Sequence, residues 1–142
     1  MTGTSHDSTT GTSTRTLWVM RILSALALVA AGGIHLFLVF NGVGGILGVL
    51  FVLNAIAALV LAVGMLVLHG RLLQVATVLS LLFLIATLLA LILALTVGLF
   101  GITETWDFTL VPETVIVESI GIVILAITTV LVLRRAPAGH AR

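Results

Sequence analysis

The sequence contains no cysteine and no lysine, and it has few charged side chains of any kind. The absence of cysteine excludes disulfides, thiolate metal sites and thiol redox chemistry. Charged residues make up 8% of the 142 residues, whereas ordinary soluble domains contain about 25%. Hydrophobic residues make up 61% of the chain and the mean hydropathy is +1.39. A water-soluble fold is therefore excluded.

The few charges are also unevenly distributed along the chain. Between residues 17 and 133 the charged residues are Arg21, Arg71, Glu104, Asp107, Glu113 and Glu118. The net charge of +1 and the isoelectric point near 9.2 come from arginines close to the ends of apolar segments. Because these arginines form no continuous basic face, the sequence does not indicate a nucleic-acid partner.

Four apolar segments account for most of the chain. They cover residues 17–40, 46–68, 72–100 and 113–133. Each is long enough for the roughly 20 residues that a helix needs to cross a bilayer, and a lipid-facing backbone must satisfy its own hydrogen bonds. The turns between the first three segments are short, and Pro112 suits the start of the fourth helix. We predict an all-α membrane protein, an antiparallel up-down-up-down bundle of four transmembrane helices.

Two polar tails flank this transmembrane domain of residues 17–133. Residues 1–16 are rich in Ser, Thr and Gly, and we expect a disordered cytoplasmic tail there. Residues 134–142 form a basic cytoplasmic tail in this interpretation. The apolar run at 17–40 is longer than the core of a signal peptide, so we expect it to remain as an uncleaved helix.

The arginines predict the orientation in the membrane. All six fall on the side of the predicted bundle that carries both termini: Arg15, Arg21, Arg71, Arg134, Arg135 and Arg142. The other side carries Glu104, Asp107 and Glu113 and no basic residue. The positive-inside rule therefore places both termini in the cytoplasm of a bacterial cell, with the protein in the cytoplasmic membrane.

Ionisable side chains within the apolar segments form a candidate site, because burying them in a bilayer is costly. His35 and Glu118 both fall about 8 to 9 Å below the outer boundary, at 1.5 Å per residue, on helices that should be neighbours. Thr96 falls near the same layer and Asn54 slightly deeper. The outer loop at 101–113 contributes Glu104, which could fold down over the site.

Two interpretations of the candidate site stay open. In the functional one, His35 and Glu118 line an outward-facing pocket that shares a proton or binds a divalent cation or small ligand. No two-ligand helical motif such as HxxxH or HExxH is present, so a metal is not specified. In the structural one, the two side chains hydrogen-bond each other or reach toward water and stabilise packing. Asn54 is then an interhelical hydrogen-bonding residue.

Aromatic and small residues predict anchoring and packing. We expect Trp18 at the cytoplasmic end, and Trp106 and Phe108 at the outer end, to be interfacial anchors. Small residues at helical spacing typically allow close helix contact. Such residues are Ala58 and Ala62 on the second helix and Ala86, Ala90 and Ala94 on the third.

Three short motifs carry a family resemblance. With GIHLF at 33–37, LFVLN at 50–54 and GLFGITE at 98–104, the chain resembles a group of small uncharacterised bacterial four-helix integral membrane proteins. The resemblance spans residues 17–133 and implies the same helix number. It nominates His35, Asn54 and Glu104 without assigning them roles.

No catalytic constellation is present, because the sequence has no cysteine nucleophile and no GxSxG motif. We therefore expect a non-enzymatic accessory or scaffold subunit of the cytoplasmic membrane, without a cofactor. Its partners would be the lipid bilayer and a second copy or another membrane protein. The alternative is an outward-facing module or transporter component that binds a proton, cation or small ligand through His35, Glu118 and Glu104. A third class is a membrane oxidoreductase that uses haem or quinone.

Overall fold

The computed structural model describes residues 9–99, 101 and 103–135. Its helices are α1 (Thr9–Phe40), α2 (Gly45–Val67), α3 (Gly70–Thr96) and α4 (Val111–Arg134). The described residues contain no β-sheet. The prediction of an all-helical chain with four long apolar helices is thus confirmed. The remaining parts of the predicted tails, residues 1–8 and 136–142, lie outside the described residues.

Helix α1 begins at Thr9, before the apolar segment that starts at residue 17. Extending an existing helix needs no new nucleation, so a polar segment can continue a helix that packing already stabilises.

Helix α3 ends earlier than the predicted residue 100. Gly98 has a φ of 83°, a left-handed conformation that glycine adopts at low cost and that stops a helix. The backbone N–H groups of Val97 and Gly98 both donate to Leu93 O, at 3.0 and 2.9 Å.

The four helices pack closely in one half of the molecule. Helix α1 packs most extensively on α2 and also contacts α4, which in turn packs on α3. Of these packed neighbours, α2 and α3 contact each other least. The fully buried bulky side chains of this half are Leu28, Met65, Leu84 and Leu125, one from each helix. Ser24 of α1 and Thr128 of α4 share a buried hydrogen bond of 2.9 Å. This close-packed half leaves the other half to hold a cavity.

Arg21 joins α1 to the C-terminal end of α2. Its Nε donates to Met65 O at 2.7 Å, and its Nη2 donates to Leu66 O and Leu68 O at 2.9 and 2.8 Å. The carbonyls at a helix C-terminus lack partners within the helix and carry partial negative charge. Arg21 therefore caps α2, and its guanidinium carbon lies 4.7 Å from the ring centroid of Trp18.

The outer surface of the helices is apolar. Each helix exposes bulky aliphatic side chains, for example Leu26, Leu59, Leu89 and Ile120. An apolar surface of this extent is unfavourable in water, and all four helices are long and apolar enough to cross a membrane. The chain is therefore a multi-pass membrane protein with a four-helix bundle.

Candidate functional site

A cavity of about 440 Å³ lies between the helices at one end of the bundle. We call this the loop end, because it carries the α1–α2 turn at 41–44 and the loop at 97–110. All four helices and the loop line the cavity. Its polar lining residues are His35, Asn54, Thr87, Glu104, Thr109, Thr114 and Glu118. Aliphatic, aromatic and alanine side chains form the rest of the wall.

Glu118 on α4 is the most deeply buried ionisable side chain of the cavity wall, with 1% of its surface exposed. Neither carboxyl oxygen has a hydrogen-bond partner, because the neighbouring Thr87 hydroxyl donates to Leu84 O instead. A buried polar group without a partner is rare, because it loses the hydrogen bonds that water would provide. Glu118 is thus the feature of this site that packing alone does not explain.

His35 on α1 lines the same cavity but does not hydrogen-bond Glu118, whose oxygens are unpartnered. Its Nδ1 lies 2.8 Å from Ala31 O, one turn earlier on the helix. A carbonyl oxygen can only accept, so Nδ1 carries the proton and Nε2 is the free ring nitrogen. The ring also contacts Phe51 of α2 edge to face, at a centroid distance of 4.9 Å, which positions it at the α1–α2 contact.

Asn54 of α2 also lines the cavity, and its buried Oδ1 has no hydrogen-bond partner. Asn54 therefore forms no interhelical hydrogen bond through Oδ1. Asn54 and Glu118 together leave three buried oxygens without partners around one apolar space. The structure brings these two side chains and His35 to one cavity from three different helices.

Thr96 does not line the cavity. Its exposed side chain donates to Ile92 O at 2.7 Å. Thr87 lines the cavity instead. The two threonines are separated by nine residues, about 180° around a helix of 3.6 residues per turn, so they lie on opposite faces of α3.

Two threonines that the sequence analysis did not select belong to the cavity wall. Thr87 Oγ1 donates to Leu84 O at 3.0 Å, and Thr114 Oγ1 donates to Leu110 O at 2.6 Å. Both hydroxyl protons are therefore used within the threonine's own helix or its cap.

The small residues of α3 could have indicated this face. Ala90 and Ala94 line the cavity with Thr87 at spacings of three and four residues. They were predicted to make close helix contacts, whereas Ala86, of the same series, is exposed. The face of α3 that carries these small residues therefore borders the cavity as well as neighbouring helices.

Glu104 lies where the loop closes over the cavity. Its backbone N–H donates to Ala94 O at 3.0 Å, which holds the loop against the end of α3. Burial raises the pKa of the Glu104 carboxyl above its ordinary value of 4.5. A second space of about 370 Å³ lies beside the α1–α2 turn and shares Glu104 with the cavity wall.

The aromatic residues selected as anchors have different environments. Trp18 and Trp106 are exposed, as residues at a membrane interface would be. Phe108 is half-buried and lines the cavity with Glu104 and Thr109. Phe108 therefore contributes to the wall of the site as well as to the loop surface.

The acidic and histidine side chains do not form a metal centre within the part of the chain that the structure describes. No three of them lie together in a group that could hold a metal ion. The chemical character of the site is thus an apolar space with buried oxygen acceptors.

Comparisons of the chain with protein-family models, with curated proteins and with solved structures find no match.

Proposed function

We propose that this protein binds a small amphiphilic molecule in the cavity at the loop end, within the cytoplasmic membrane of a bacterium. The observation that carries the proposal is the cavity itself, which all four helices line and in which Glu118 is buried without a partner. The proposal corresponds to the small-ligand alternative of the sequence analysis.

The size and composition of the cavity support a small-molecule ligand. Its volume of about 440 Å³ lies within the roughly 300–1,000 Å³ that is typical of such sites. Ligand sites combine mostly apolar walls with a few polar groups that orient the ligand. A scaffold would require only its outer surface, so the interior space favours the binding alternative over the accessory-subunit hypothesis.

The position of the cavity supports a ligand that comes from the lipid phase. Leu50 and Leu53 of α2 line the cavity and are also exposed on the outer surface of the bundle. Helices α2 and α3 contact each other least of the packed pairs. A hydrocarbon chain could therefore extend between α2 and α3 toward lipid while its polar head contacts His35, Asn54 and Glu118.

The proposed topology is up-down-up-down, with both termini in the cytoplasm. Contacts between Arg21 and Met65 and between Ser24 and Thr128 support antiparallel neighbours. The positive-inside rule supports a cytoplasmic location for the arginine-bearing end. The loop end, with its acidic residues, would then face the outside.

Native mass spectrometry of the purified protein tests the binding proposal. We expect one small molecule bound per chain, and the Ala90→Phe variant should lose it because the larger ring fills the cavity. The matched control is Ala86→Phe, which makes the same change at an exposed position one turn away on α3. Equal binding, or equal absence of binding, in the wild type and Ala90→Phe would contradict the proposal.

A further inference from the structure

We propose that the polar head of the ligand is a primary ammonium group and that Glu118 is its counter-charge. This inference rests on the proposed function, because it names the chemical class that the cavity accepts. The basis for it is that some hydrogen-bonding atoms of the cavity wall already have partners, whereas others are free.

The free buried atoms of the cavity wall are acceptors. Both Glu118 carboxyl oxygens and Asn54 Oδ1 are buried without partners. A carboxylate can only accept hydrogen bonds, and it has room for more than one donor. An occupant that supplies several N–H groups would remove the desolvation cost of these oxygens.

The donors of the cavity wall are largely used. His35 Nδ1 donates to Ala31 O, Thr87 donates to Leu84 O and Thr114 donates to Leu110 O. What these three side chains leave for an occupant is the acceptor Nε2 and hydroxyl lone pairs. The Asn54 amide nitrogen and the Thr109 hydroxyl are the additional donors that an occupant could meet.

The charges around the cavity have one sign. Glu118 and Glu104 line it, and no arginine does so among the residues that the structure describes. An anionic head would lie near carboxyl groups without a cation to offset the repulsion. A primary ammonium offers a positive charge and three donors, and charge-assisted hydrogen bonds are about twice as strong as neutral ones.

A quaternary ammonium differs from a primary one because it has the positive charge but no N–H to donate. The comparison of the two therefore separates the effect of charge from that of hydrogen bonding. The free acceptors therefore predict that a primary amine binds better than a quaternary one with the same alkyl chain. The apolar remainder of the wall accommodates that chain.

Four probes with equal chain lengths test the ligand class: n-decylamine, decyltrimethylammonium, n-decanol and decanoate. Their affinities for the wild-type protein in detergent are measured at neutral pH by native mass spectrometry and isothermal titration calorimetry. We expect decylamine to bind at least tenfold more tightly than each of the other three. Decanoate binding as tightly as decylamine would overturn the ligand class. So would decyltrimethylammonium binding as tightly as decylamine, because N–H donation would then be irrelevant.

The variant Glu118→Gln should weaken decylamine binding at least tenfold, because it removes the charge while keeping the shape. Its matched control is Glu113→Gln, which removes an exposed carboxylate from the first turn of the same helix and should leave the affinity unchanged. Unchanged affinity in Glu118→Gln would overturn the role of Glu118. If that variant does not fold, the probe series on the wild type still decides the ligand class.

Failure of this inference is distinguishable from failure of the proposed function. If all four probes bind equally and Ala90→Phe abolishes their binding, the cavity binds amphiphiles without preference for ammonium. If Ala90→Phe changes the binding of none of them, the cavity is not the binding site and both proposals fail.

Discussion

At the scale of single residues, Arg21 combines two roles that the sequence does not separate. It belongs to the arginines that predict orientation, and it also caps α2 through three carbonyl oxygens. With 6% of its surface exposed, it is buried against the backbone that it binds. A planar guanidinium suits this arrangement, because its donors diverge in fixed directions.

Replacing Arg21 should therefore destabilise the bundle. We expect Arg21→Ala to lower the free energy of unfolding by about 2–4 kcal/mol, because it leaves the α2 carbonyls without a cap. Arg21→Lys should lose part of this stability, since an ammonium is a compact point charge. Chemical denaturation in detergent measures both. Arg15→Ala, at an exposed position on α1, is the control, and an equal loss there would contradict the capping role.

Glu104 predicts a pH dependence at the loop end. Burial raises the pKa of its carboxyl above 4.5, so folding favours the protonated form. Its contribution to stability is then greatest below the ordinary pKa and declines as the pH rises through the raised pKa. Glu104→Gln removes this decline, so the melting temperature of the variant minus that of the wild type should increase between about pH 4 and pH 7.

Thermal unfolding of the wild type and of Glu104→Gln across this pH range measures the difference between their melting temperatures. The contributions of the other titrating groups, which both proteins share, cancel in this difference. Asp107→Asn removes an exposed carboxylate from the same loop and serves as the charge control. A difference between Glu104→Gln and the wild type that decreases with pH would show that the sign is wrong.

At the scale of the elements, the contact between α1 and α2 depends on a glycine. A Cβ at Gly32 would lie 2.8 Å from the Cβ of Ala58 and 3.4 Å from the backbone of Ala55. Small residues allow this approach of two helices. The contact lies beside the cavity, because His35 follows Gly32 by one turn of α1.

The neighbouring glycines Gly32 and Gly33 provide a matched test. Gly32→Ala should lower the free energy of unfolding by about 1–3 kcal/mol, because the methyl group forces α1 and α2 apart. A Cβ at Gly33 meets nothing within 4 Å, so Gly33→Ala should be neutral or slightly stabilising. Equal effects of the two substitutions in denaturation experiments would exclude the close-contact explanation.

At the scale of the whole molecule, the absence of cysteine makes the proposed topology directly testable. Single cysteines can be introduced as Thr105→Cys in the loop and as His69→Cys in the α2–α3 turn, both at exposed positions. In intact cells we expect a membrane-impermeant maleimide to label Thr105→Cys. It should label His69→Cys only after permeabilisation. The reverse pattern would place the loop end in the cytoplasm.

Much of the architecture follows from the sequence, although several boundaries do not. The apolar runs predict four helices, and the structure has them. The end of α3 differs because the positive φ of Gly98 stops the helix before its apolar run ends. Helix α1 begins before its apolar run because a stabilised helix continues through residues 9–16. Hydropathy reports the environment of a segment, not where its backbone changes direction.

The candidate site, too, is predicted by the sequence only in part. The cost of polar groups in a membrane drew attention to His35, Asn54 and Glu118, and the structure places all three on one cavity. Depth along a helix also suggested Thr96, which faces away, whereas Thr87 contributes to the wall. Whether a side chain reaches the cavity depends on its depth in the membrane and also on the rotation of its helix about its own axis. The sequence provides an estimate of the depth alone.

The sequence by itself determines that this chain forms apolar helices for a membrane, because composition and the hydrogen-bonding needs of the backbone allow little else. Only the tertiary structure decides that the helices pack closely in one half and enclose space in the other. That outcome depends on the limited contact between α2 and α3 and on which face each helix turns inward. The unpartnered carboxyl of Glu118 arises from the same packing, because the presence of a hydrogen-bond partner is decided by neighbours distant in sequence.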